Sequence, residues 1–89
     1  MRVSDQFILR EIAGDSILIP VGEAAMSVKG LIALSETGAF LYHILEENAT
    51  REELVAALTS EYEVSEAEAA ADIDAFLNQM RQLKILVEE

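Results

Sequence analysis

Gly30-Leu31-Ile32-Ala33-Leu34-Ser35-Glu36-Thr37-Gly38-Ala39-Phe40-Leu41-Tyr42 is the stretch in which the chain changes its period. Its first five residues form a short apolar run closed by Ser35, which reads as a strand. Beyond Ser35 the apolar residues fall at helical spacing, with Phe40, Leu41, Ile44 and Leu45 on one stripe. The spacing predicts a helix from Glu36 to about Glu47, capped by Ser35 and stopped at Asn48.

Upstream the reading is strand. Phe7-Ile8-Leu9-Arg10-Glu11-Ile12 and Ser16-Ile17-Leu18-Ile19-Pro20-Val21 are aliphatic and β-branched, with Ala13-Gly14-Asp15 between them as a tight turn. Pro20 lacks an N–H, so the second strand ends there or lies on an edge. Gly22 to Lys29 reads as a loop. Downstream the reading is helix. Thr50-Arg51-Glu52-Glu53 is a capping box opening a helix to about Tyr62, with Leu54, Val55, Leu58 and Tyr62 inward. Ser65-Glu66-Ala67-Glu68 repeats the box and opens a helix to about Leu83, with Ala69, Ile73, Phe76, Leu77, Met80 and Leu83 inward. Ile85-Leu86-Val87 is an apolar tail packed back on the body. The architecture expected is α+β: a three-stranded antiparallel sheet followed by three helices, with residues 1–89 as a single domain. Such a sheet has two edges, and no strand carries several charges to blunt them. An available sheet edge is the first functional hint.

The net charge of −11 is unevenly placed. Residues 1–34 carry four acids and three bases, while residues 35–89 carry thirteen acids and three bases. Six basic side chains in all are too few to displace counterions from a phosphate backbone. A field of this sign repels nucleic acid and anionic membrane surfaces. No apolar run is long enough to span a bilayer, and Arg10 and Glu11 interrupt any signal core. The absence of cysteine removes disulfides, thiolate nucleophiles and Cys-based zinc sites. A cytoplasmic protein is expected.

Catalytic chemistry needs a nucleophile, an acid–base pair or a metal held in mutual reach. The single histidine, His43, falls with Glu36, Glu46 and Glu47 on the solvated side of its helix. Asp72 and Asp74 are two apart and do not share a helix face. Glu68 and Asp72 share one, but two helix neighbours are fewer oxygens than a hard cation wants. Ser35 and Ser65 read as caps, and the four glycines are isolated, so there is no phosphate loop. The reading is no catalytic residue, no cofactor and no metal.

The ordered set of motifs resembles the PqqD-like family. Leu34-Ser35-Glu36-Thr37-Gly38-Ala39 is similar to that family's "LNETGA" after its third strand, with Ser35 in place of Asn. Thr50-Arg51-Glu52-Glu53-Leu54, Glu61-Tyr62-Glu63-Val64-Ser65, Asp72-Ile73-Asp74-Ala75-Phe76-Leu77 and Leu83-Lys84-Ile85-Leu86-Val87 follow in the family's order. Tyr42 stands where Trp is frequent, and Lys84 where a glycine is usual.

The resemblance implies a fold similar to a winged helix-turn-helix. It also implies a non-catalytic module that binds the leader segment of a precursor peptide in the biosynthesis of ribosomally made, post-translationally modified peptides. On that reading the leader adds as a strand to Leu31, Ile32, Ala33 and Leu34, against Asp72, Ala75, Phe76 and Gln79 of the last helix. The partners implied are the precursor peptide and a radical S-adenosylmethionine modifying enzyme; the chain itself is expected to be a monomer or weak homodimer. Strand addition asks for an open edge, an adjacent apolar helix face and no catalytic groups, which is what the residues alone provide. Two other readings have their own signatures. A winged-helix DNA-binding regulator would need a basic recognition helix where this chain has Glu66, Glu68, Asp72 and Asp74. A structural or regulatory subunit would use the same sheet edge to join another protein.

Overall fold

The computed structural model describes residues 1–28 and 30–88. Strands β1 (Arg2–Val3), β2 (Phe7–Ile12) and β3 (Asp15–Pro20) are followed by a one-turn helix α1 (Ala24–Ser27) and strand β4 (Ile32–Leu34). Helices α2 (Glu36–Ile44), α3 (Arg51–Glu61) and α4 (Glu66–Gln82) come next, and β5 (Leu86–Val87) closes the chain. The expected α+β architecture holds: β2, β3 and β4 form an antiparallel sheet in that order, and the helices pack on one of its faces.

The β2–β3 register runs from Phe7 opposite Pro20 to Ile12 opposite Asp15. The turn is therefore two residues, Ala13 and Gly14, with φ of 54° and 85°, and Asp15 is already in the ladder. Two successive positive φ values make the primed turn whose twist matches the strands, which is why the loop is shorter than Ala13-Gly14-Asp15. β4 joins β3 with Ser16 opposite Leu34 and Leu18 opposite Ile32.

Two features depart from the expected elements. The stretch from Gly22 onward contains α1, held by the Gln6 side chain, whose Oε1 accepts from Glu23 N (2.9 Å) and Ala24 N (3.4 Å); Lys29, the last residue of the expected loop, lies outside the described residues. The paired termini are the second: Arg2 and Val3 of β1 lie opposite Val87 and Leu86 of β5. Two-residue strands have no period to read, so only the packing of the apolar tail was foreseeable.

Ser35, Thr50 and Ser65 cap α2, α3 and α4, each side chain accepting from the N–H three residues on (3.0–3.1 Å). The full capping box forms at Thr50, where Glu53 Oε1 also accepts from Thr50 N (3.0 Å). At Ser65 only half of it forms, because Glu68 Oε1 accepts from the Ser65 hydroxyl instead (3.3 Å). α2 ends at Ile44 rather than Glu47, and Glu46 N and Glu47 N bond the carbonyls three residues back. That tightening leaves the Leu45 carbonyl to accept from Val3 N (2.8 Å), which ties β1 to the helices.

The core lies between the inner sheet face and the helices. Leu18, Leu41, Leu45, Leu54, Leu58, Ile73, Leu77, Met80 and Ile85 are fully buried, each worth about 1.5–3 kcal/mol of burial. Tyr42, which is not among the stripe residues read from the sequence, is also fully buried. Its hydroxyl donates to the Phe7 carbonyl (3.4 Å), the polar partner that a buried phenol needs.

Candidate functional site

β4 pairs with β3 on one side only, and its other edge is open among the described residues. Which residues present their main-chain groups there follows from the hairpin. Antiparallel ladders alternate hydrogen-bonded and non-hydrogen-bonded pairs, and the two-residue turn makes Ile12–Asp15 a hydrogen-bonded pair. The bond from Val21 N to Gln6 O (2.8 Å) lies six residues further along each strand and has the same parity. Residues 15, 17 and 19 of β3 therefore face β2, and residues 16 and 18 face β4. Their partners Leu34 and Ile32 turn their N–H and C=O toward β3. Ala33, between them, turns its N–H and C=O to the open edge.

Beside this edge runs a groove of about 410 Å³ between β4, the start of α2 and the middle of α4. Ala33 and Leu34 form one wall, with Asp72, Ala75, Phe76 and Gln79 opposite. These four lie at positions 72, 75, 76 and 79 of one continuous helix, the spacing of a single face. Phe76 serves two roles, since it belongs to the buried core and also floors the groove. Asp72 is the one ionisable side chain in the lining and is solvent-exposed.

The groove's near end is built by the first turn of α2. The Ser35 hydroxyl accepts from Gly38 N (3.0 Å), which turns the chain sharply from β4 into the helix. Gly38 is buried, and a Cβ there would meet Ser35 Oγ at 3.2 Å, Leu34 Cβ at 3.6 Å and Phe76 Cδ1 at 3.7 Å. The missing side chain lets strand, cap and α4 converge. Ser35, Thr37, Gly38 and Leu41 line the groove as well; the sequence gives Ser35 to capping and Leu41 to the apolar stripe, and places neither Thr37 nor Gly38 at a site. The signal for them was the cap itself: a helix that starts one residue after an edge strand must lay its first turn beside that edge.

Of the eight residues expected to line a peptide site, the fold brings together Ala33, Leu34, Asp72, Ala75, Phe76 and Gln79. Ile32 belongs to β4 but packs inward against the core. Leu31 precedes the strand and is 62% exposed, outside the groove lining.

His43 is exposed with Nδ1 2.7 Å from Glu46 Oε1. Asp74 is engaged by Arg51, whose Nε and Nη2 donate to its two oxygens (2.7 and 2.9 Å), joining α3 to α4. Through that hydrogen bond the guanidinium holds the Asp74 carboxyl below the usual carboxylate range. Among the described residues no group of three His, Cys, Asp or Glu side chains converges to hold a metal. No described helix is long and apolar enough to cross a membrane.

Two solved structures share this fold. One is TbiB1 in complex with the TbiA(beta) leader peptide, 24% identical, with a TM-score of 0.79 over 100% of this chain and 98% of that one. The other is lasso peptide synthetase B1 complexed with the leader peptide, 21% identical, with a TM-score of 0.78 over 98% of this chain and 96% of that one. No curated protein matches the chain by sequence. The model of the family described as coenzyme PQQ synthesis protein D (PqqD) matches residues 17–86, which takes in most of β3, β4, helices α1 to α4 and the start of β5. The chain belongs to the PqqD family.

Proposed function

We propose that this chain binds the leader segment of a precursor peptide as an added strand on β4 and presents it to a peptide-modifying enzyme. The observation that carries the reading is Ala33, whose N–H and C=O point out of an unpartnered strand edge above a groove walled by α4. Backbone bonds to that edge supply affinity without regard to sequence, and the groove selects side chains. Leu34, Leu41, Ala75 and Phe76 offer an apolar floor, while Asp72 and Gln79 at the rim suit a cationic or hydrogen-bonding residue.

Membership of the PqqD family supports the reading, as do the two similar structures, each solved with a leader peptide. The chain is a presenter and not an enzyme: His43 is on the surface beside Glu46, and Asp74 and Glu88 are engaged by Arg51 and Arg81 in exposed ion pairs. The modifying enzyme it serves is of the radical S-adenosylmethionine class, a choice that rests on the family resemblance alone. The DNA-binding reading is disfavoured by charge, since Glu66, Glu68, Asp72 and Asp74 are all exposed on α4, which would have to face phosphates.

The test is an NMR titration of the isotopically labelled protein with synthetic leader peptides drawn from short reading frames beside its gene. Saturable shifts centred on Ala33, Leu34, Asp72, Ala75 and Gln79, absent with a scrambled peptide, are expected. Saturable binding that leaves these amides unmoved would place the peptide elsewhere and refute the reading.

A further inference from the structure

α4 presents two polar faces, and the chain completes only one of them. On the face at positions 74, 78 and 81, Arg51 donates to both oxygens of Asp74, and Arg81 donates to Asn78 Oδ1 (3.1 Å) and Glu88 Oε1 (2.8 Å). The face at positions 72, 75 and 79 turns to the groove beside β4. Among the described residues neither the Asp72 carboxylate nor the Gln79 amide makes a hydrogen bond or ion pair, and the Thr37 hydroxyl in the same lining makes none either. No base lines the groove. Glu68, one turn before Asp72, and Glu36, in the first turn of α2, are exposed acids too. The one positive feature at this end, the N-terminus of α2, is met by the Ser35 hydroxyl at Gly38 N and by Glu36.

We propose that Asp72 selects a basic residue of the leader: an arginine or lysine at the position lying opposite Leu34. The inference rests on strand addition at β4. Residues level with each other on neighbouring strands point their side chains to the same face. Ile32 and Leu34 pack inward on the core, so the Ala33 side chain points outward. A leader residue level with Ala33 does likewise, and the residues before and after it turn inward over the groove. β4 runs against the direction of α4: Leu34 lies beside Phe76 at Gly38, while Val28, six residues earlier, shares a cavity with Gln82 and Leu83. Asp72, one turn before Phe76, is therefore nearest the leader residue opposite Leu34. Gln79, a turn after Phe76, is nearest the one opposite Ile32.

Laying a strand over the groove takes water from Asp72, and a carboxylate that loses water without gaining a partner opposes binding. A guanidinium or ammonium replaces that water with a charge-assisted bond, and Gln79 Oε1 and the Thr37 hydroxyl are further acceptors for its remaining N–H groups. A neutral residue leaves the carboxylate unpaired, and an acid adds repulsion, so the site selects by rejection as well as by attraction. The field of the chain acts in the same sense. Residues 35–89 hold thirteen acids against three bases, which draws a basic segment toward the groove and repels an acidic one.

A display selection tests this, with a random peptide library as the probe, panned against the whole chain and against Asp72→Lys. Position 72 is exposed, and circular dichroism confirms the fold of the variant. Wild-type selectants that shift the Ala33 and Leu34 amides should share an arginine or lysine at one fixed position, and Asp72→Lys should select an acid there. In the strongest wild-type peptide, exchanging that base for glutamine should weaken binding about tenfold. Asp72→Asn should weaken the parent peptide by a similar factor and leave the glutamine peptide unaffected. Selectants that bind at β4 without a shared base, or a preference for base that survives Asp72→Lys, overturn the proposal and leave strand addition standing. Selectants that spare the Ala33 and Leu34 amides, or none at all, overturn it together with strand addition.

Discussion

Tyr42 is the largest fully buried side chain, and its environment makes it a pH sensor of the fold. Burial, and secondarily the carboxylate of Glu46, push its phenol from the ordinary value of 10 up to about 12. A group whose folded pKa is raised contributes fully below its unfolded pKa and loses that contribution as pH rises toward the folded one. Stability should therefore fall between about pH 10 and 12, and denaturant titrations should show Tyr42→Phe flattening that limb relative to wild type. Leu77 tests the core in a different way. It is buried at the centre of the α4 stripe, four residues after Ile73 and three before Met80. Leu77→Ala should cost about 2–5 kcal/mol, read from the shift in denaturant midpoint. A midpoint equal to wild type would mean the stripe is not the core.

At the scale of elements, helical periodicity and caps read well from sequence, because each rests on contacts within four residues. Ser35, Thr50 and Ser65 all cap where the sequence puts them. The end of α4 was harder to read. Lys84 stands in the left-handed region with φ of 59°, and Ile85 N bonds Met80 O (2.8 Å) as in a glycine-terminated helix. The chain takes this end without the glycine because Ile85 is fully buried and Leu86 pairs with Val3 beyond it. Lys84→Gly should relieve the left-handed strain, offset in part by a more flexible unfolded chain, for a gain of about 0.5–1 kcal/mol in thermal or chemical denaturation. The hairpin illustrates the opposite limit. Ala13-Gly14-Asp15 signals a turn, but whether Asp15 belongs to the loop or to the strand depends on the register that the rest of the ladder enforces. A one-residue slip there would reverse every side chain and main-chain group of the sheet.

That register decides the whole-molecule account. The third strand at a sheet edge and the helices that follow it were legible in the sequence, since an uncharged third strand followed by amphipathic helices leaves few other arrangements. The direction in which Ala33 points was not, because it is set through three strands by the two-residue turn and the Val21–Gln6 bond. Ile32 and Leu34 bind β3, and Ala33 faces outward. Proline at position 33 thus removes a donor that the folded sheet does not use, while an added strand loses a hydrogen bond and its register. The lost bond is worth about 1 kcal/mol, and an unpaired peptide carbonyl a further 1–3 kcal/mol. At 1.4 kcal/mol per decade these sum to roughly a hundredfold in affinity. Calorimetric titration of a synthetic leader into wild type and Ala33→Pro, with circular dichroism on both, measures this. The account predicts a variant that folds and binds about a hundredfold more weakly. A folded Ala33→Pro that binds the leader as tightly as wild type would contradict strand addition at β4.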